Sequence, residues 1–189
     1  MRAKQVTAHE LVGELARVRD RSRASASVMW FPLLLFGVLS VLSAPVVAWF
    51  GGAALGAFWL VAGPAGGVAT GVVSVRRGKR VGAEVPAGPY IAVAVLILAG
   101  ALVAGWVGYA LGEHLISAAG PPLAISAGYL LFARIERNRA LGWTAAGLAA
   151  LVVALLPTGI GPEPLAAVLA VVYGAVFFAT GVVLWGRRG

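Results

Sequence analysis

Apolar residues in this chain come in long runs instead of alternating with polar ones. Six stretches, 28–50, 53–75, 89–110, 115–133, 142–159 and 164–185, contain no Asp, Glu, Lys or Arg. Each approaches the roughly 20 residues that a helix rising about 1.5 Å per residue needs to cross a hydrocarbon layer about 30 Å thick. The pattern predicts an all-α, polytopic integral membrane protein with a six-helix transmembrane bundle at 28–185, between a cytoplasmic segment at 1–27 and a short basic tail at 186–189. The fourth and fifth stretches are the weakest. One carries Gly120-Pro121-Pro122 early, and the other has only about 15 apolar residues before Pro157, so tilt or local thinning must make up the length. Four spans and a re-entrant pair is the alternative reading.

Charge orients the bundle. With the N-terminus inside, the cytoplasmic segments are 1–27, 76–88, 134–141 and 186–189, and they hold all 15 Lys and Arg residues. The opposite connections, 51–52, 111–114 and 160–163, hold none. Under the positive-inside rule this places both termini in the cytoplasm and the chain in an inner or plasma membrane. Aromatic residues give the same picture: Trp30, Tyr90, Trp143 and Trp185 lie beside the basic ends of spans, and Trp49, Phe50, Trp106 and Tyr109 beside the other ends. Trp59 fits neither belt and is expected to face a neighbouring helix. The first run is too long, and its leading segment too extended, for a cleaved signal peptide, so an uncleaved anchor is expected.

Ahead of the first span, Thr7-Ala8-His9-Glu10 has the form of a capping box, in which hydroxyl and carboxylate satisfy the exposed amides of a helix start. Leu11, Leu15 and Val18 then recur at helical spacing, with Arg17, Arg19, Arg21 and Arg23 on the membrane-proximal side. This predicts an amphipathic cytoplasmic helix lying on anionic lipid, or, in a second reading, docking a cytosolic partner. Nucleic acid is disfavoured, because the basic residues show no aromatic interleaving and no helix-turn-helix pattern.

Lipid gives helices no hydrophobic reason to associate, so small residues that admit close backbone approach mark packing faces. Gly63, Gly67 and Gly71 form one such stripe, and Gly100, Ala104, Gly108 and Gly112 form another in and beyond the third span. The expectation is that these two faces pack antiparallel, with self-association across copies as the alternative. Gly120, Ala124 and Gly128 repeat the pattern in the fourth span. Within the second span, Gly63-Pro64-Ala65-Gly66-Gly67 combines a missing backbone donor with a lack of bulk. Such an interruption marks a midplane solute site in some transporters; otherwise it is a proline kink repaired by its neighbours. Gly63, Pro64, Gly66 and Gly67 are therefore the candidate solute site. The fifth span offers no interruption at a matching depth, and the halves share no residue-level similarity.

Composition removes most chemistry. With no Cys, disulfides, thiolate metal sites and cysteine nucleophiles are excluded. The spans hold only Ser, Thr, Tyr and Trp as polar side chains, so proton-coupled transport and intramembrane acid–base catalysis lack ionisable groups. Arg76-Arg77-Gly78-Lys79-Arg80 does not have phosphate-loop spacing. Glu113 and His114 are adjacent, and adjacent helical positions point about 100° apart, so they make no ready metal site. No cofactor is implied. Catalysis would have to use Glu84, Glu136 and Arg137 at the inner connections, and a non-enzymatic role is expected. Two functions stay open: a permease-like subunit for a neutral or apolar solute, or a non-transporting scaffold or regulatory protein acting through its N-terminal helix. Expected partners are membrane lipid, a second copy, or a cytosolic or membrane protein.

Overall fold

A computed structural model describes residues 29–81 and 87–186. The segment 1–27, for which an amphipathic helix is predicted, and the basic residues of the tail lie outside them, as does Glu84. Among the described residues every regular element is helical: α1 (Trp30–Val81), α2 (Ala87–Ala110), α3 (His114–Ile135), α4 (Arg139–Leu155), which continues into a single 3-10 turn (Leu156–Thr158), and α5 (Pro162–Gly186). Among the described residues, five helices are long and apolar enough to cross a membrane, consistent with a multi-pass membrane protein. The six apolar stretches map onto five elements because α1 contains the first two.

α1 is not one straight rod. Gly51 has φ 78° and ψ −178°, a region of backbone space essentially restricted to glycine. On its two sides, Phe36 and Trp59 stack with ring centroids 6.5 Å apart. A Cβ added at Gly66 would lie 2.9 Å from Phe36 Cζ. Residues 36 and 66 would be about 45 Å apart along a continuous helix, so arms 30–50 and 52–81 fold back on each other about Gly51. Trp59, the aromatic residue outside both belts, thus finds its neighbour on the preceding arm.

The remaining turns are closed by backbone geometry. At the end of α2, Gly112 (φ 70°) donates its N–H to Tyr109 O at 3.1 Å, and Glu113 N–H reaches Gly108 O at 2.8 Å. That is the Schellman arrangement, which satisfies the carbonyls a helix leaves open. At the end of α3 the same arrangement recurs with Arg137, at φ 51°, in the left-handed position usually held by glycine. Asn138 N–H reaches Ala133 O at 2.9 Å, while the Asn138 side chain accepts from Leu141 N–H at 3.2 Å and caps α4. One residue thereby ends one helix and starts the next.

α5 is central. It runs antiparallel to the first arm of α1 at backbone contact: a Cβ on Gly37 would lie 2.7 Å from Phe178 N, and one on Gly174 would lie 2.8 Å from Gly37 O. Its other side buries Leu165, Leu169, Tyr173 and Phe177 against a core that includes Leu141, Ala145, Leu148 and Val152 from α4. α2 joins through α3. Ala104 Cβ crowds the place where a Cβ on Gly120 would stand, and Ala124 Cβ is 3.1 Å from the same point on Gly100.

The sequence expectation about the stripes is corrected here. Gly100, Ala104 and Gly108 do form a packing face, but they meet Ala124, Gly120 and Ser117 of α3, not the second apolar stretch. Among the described residues, a methyl placed on Gly63, Gly67 or Gly71 would have nothing within 4 Å. All three stripes are small enough for close approach, and chain adjacency does not decide which two meet. α3, folded back on α2 by the tight Gly112 turn, takes the partner's place.

The surface is apolar in the way a lipid-solvated bundle requires. Val61, Val68, Leu96, Val103 and Trp106 are each more than half exposed. In water, contiguous exposure of this kind would drive association; in hydrocarbon it carries no penalty.

Candidate functional site

Pro64 lies inside unbroken helix, and the only non-helical backbone within α1 is at Gly51. The predicted interruption at 63–67 is therefore absent: the lost donor at Pro64 does not unwind the turn around it. Of the four candidate residues, Gly66 is buried, lying under Phe36 and Leu39, while Pro64 and Gly67 are exposed and Gly63 is half-buried. Gly66 is thus a contact by which the second arm docks on the first, beside the Phe36–Trp59 stack.

Polar chemistry collects instead between α3 and α5. Ser126 Oγ lies 2.7 Å from Tyr173 Oη, and Tyr173 Oη donates to Pro122 O at 3.1 Å. Ser126 is fully buried and Tyr173 nearly so. With its own proton committed to the carbonyl, Tyr173 Oη accepts from Ser126, and every member of the group is satisfied. A buried polar group in hydrocarbon is tolerated on those terms. The sequence supplied one signal for it: Ser126 and Tyr173 are among very few polar side chains in the spans. Their pairing across 47 residues was not readable from either position.

An aromatic series extends from this node toward the basic side. Tyr173 meets Phe177 edge-on at 5.7 Å, Phe177 lies 4.6 Å from Tyr129, Tyr129 5.8 Å from Phe132, and Phe132 stacks with Tyr90 at 5.9 Å. Tyr90 Oη donates to Glu136 Oε1 at 2.5 Å, tying α2 to the end of α3. Both hydroxyl–acceptor pairs link helices.

Other polar side chains do local work. Ser117 Oγ donates to Gly105 O at 3.1 Å across α2 and α3. Ser43 Oγ, Thr144 Oγ1 and Thr180 Oγ1 return to carbonyls three or four residues back in their own helices, a common resolution for hydroxyls in lipid. Glu113 and His114 are exposed at the α2–α3 turn, and Glu163 reaches the Gly51 turn, where its Oε1 stands 3.3 Å from a Cβ position.

An open groove lies elsewhere, at the junction of α3 and α4. It is lined by Leu130, Arg139, Gly142, Trp143 and Ala146. Trp143 is 78% exposed there, so the groove faces outward. Compared with known protein families, curated protein sequences and solved structures, the chain matches none.

Proposed function

We propose that this protein is a non-transporting membrane scaffold whose second arm, 52–81, packs against the same arm of a second copy. One observation carries the reading: among the described residues, Gly56, Gly63, Gly67 and Gly71 have no neighbour within 4 Å of a Cβ position, although small residues are what membrane helices place at contacts. The satisfied Ser126–Tyr173–Pro122 node also favours a structural interior, since no polar group there awaits a solute. Transport of a neutral or apolar solute is the less supported reading, because Pro64 and Gly67 are exposed and the helix through them is unbroken. The N-terminal helix, if it binds lipid or a cytosolic partner, adds a second contact on the basic side.

In this reading each arm of α1 crosses the membrane separately, which makes six crossings with both termini cytoplasmic. The fifteen-to-zero distribution of basic residues and the fold-back at Gly51 support that count. Because the chain has no Cys, each introduced thiol is unique. Gly52→Cys is expected to react with an impermeant maleimide only from outside the cell, and Arg76→Cys only after the membrane is opened. Oxidation of Gly67→Cys in native membranes is expected to give a crosslinked species, whereas Val183→Cys on the exposed side of α5 gives none. Absence of adducts at 63, 67 and 71 alike would remove the scaffold reading. Solute flux in proteoliposomes of the purified chain would restore transport.

A further inference from the structure

We propose that the groove between α3 and α4 holds one anionic phospholipid, with its phosphate at Arg139 and an acyl chain lying over Gly142 between Leu130, Trp143 and Ala146. Along α4 the lining residues run from Arg139 in the first turn through Gly142 and Trp143 to Ala146, from charged to apolar, which is the polarity sequence of a lipid read from headgroup to tail. α3 and α4 approach closely beneath it, where a Cβ on Gly142 would stand 3.5 Å from Ala133 Cβ. Trp143, an amphipathic ring suited to headgroup depth, stands as an exposed wall.

Charge complementarity selects the headgroup. Arg134, Arg137 and Arg139 fall within six residues of one another, and all three are exposed. The acid among them, Glu136, accepts a hydrogen bond from Tyr90 and is drawn toward α2. Arg137 is fixed in a left-handed conformation by the Schellman turn, and Arg139 by the Asn138 cap beneath it. The cations are therefore carried on ordered backbone, which lowers the entropy lost on binding a phosphate. A zwitterionic lipid offers the same phosphate but adds a cation that this cluster repels. The inference is independent of the scaffold reading, since it needs only the α3–α4 junction.

Native mass spectrometry of the full chain, delipidated in detergent and titrated with phosphatidylglycerol or phosphatidylcholine of matched chains, tests it. One phosphatidylglycerol per chain is expected to be retained in preference to phosphatidylcholine. Arg139→Gln is expected to weaken retention about fivefold, on the scale of one basic residue at an anionic surface, and Arg139→Lys to recover part of it. Ala146→Phe fills the tail end of the groove and is expected to weaken retention with the charge intact. Arg76→Gln, which removes an equal charge at a different connection, is expected to leave retention unchanged. Equal retention of both lipids, or equal losses from Arg76→Gln and Arg139→Gln, would overturn the proposal by showing only annular or diffuse electrostatic binding. Full retention by Ala146→Phe would overturn the placement of the chain.

Discussion

Tyr173 and Ser126, on α5 and α3, form a hydroxyl pair 2.7 Å apart in the buried centre of the molecule. Its strength is limited by an alternative on the same helix. If Tyr173 is lost, Ser126 Oγ can turn to the carbonyl four residues back, which is Pro122 O, the other acceptor of the group. Tyr173→Phe is therefore expected to destabilise by about 1 kcal/mol, within the range measured for interhelical hydrogen bonds in membranes. Ser126→Ala should cost less, because Tyr173 keeps Pro122. Denaturation by increasing SDS in mixed micelles reads both, and a larger loss from Ser126→Ala than from Tyr173→Phe would contradict this assignment of donors.

Gly51 carries the fold-back of α1. Its φ of 78° with ψ of −178° is strained for any residue with a Cβ, and that Cβ would also stand 3.3 Å from Glu163 Oε1. Gly51→Ala is expected to cost about 1–3 kcal/mol. Gly52→Ala, in helical conformation with open space around it, should change stability by no more than about 0.5 kcal/mol. Thermal unfolding in detergent distinguishes the neighbours, and equal effects would mean that the turn lies elsewhere.

Glycines in this chain divide into two groups that respond oppositely to alanine. At Gly37 and Gly174 a methyl would meet backbone atoms of the opposing helix at 2.7 and 2.8 Å, so α1 and α5 must separate. Each substitution is expected to cost about 1–3 kcal/mol, as overpacking does. At Gly63, Gly67 and Gly71 a methyl meets nothing among the described residues, and alanine is expected to stabilise the isolated chain by up to about 1 kcal/mol through helix propensity. If 52–81 is an assembly face, the same three substitutions weaken the oxidative crosslink at that face while leaving detergent stability intact or improved. A loss of stability in the purified chain would instead show that the stripe packs within one molecule.

Much of the fold was legible in the spacing of apolar runs. The predicted stretch at 89–110 corresponds to α2 at Ala87–Ala110, that at 115–133 to α3 at His114–Ile135, and that at 164–185 to α5 at Pro162–Gly186. Even the weak fifth stretch is helix from Arg139, with its shortfall met by the 3-10 turn at Leu156–Thr158. The candidate site was less legible. Pro64 signals a lost donor, but whether a helix unwinds there is not written in that residue alone, and the backbone around it stays helical.

Sequence by itself determined where helices run and where they stop, because in hydrocarbon each segment must satisfy its own backbone hydrogen bonds and exclude charge. Those are local demands, written into composition and spacing. Tertiary structure alone decided that Gly100 and Ala104 lie against Ala124 and Gly120, that Gly37 meets Gly174, and that Tyr173 finds Ser126. Helices this uniformly apolar carry no stripe to mark an inner face, and lipid does not sort one face from another. Contact then goes to whichever small surfaces the turns bring close enough for their backbones to touch.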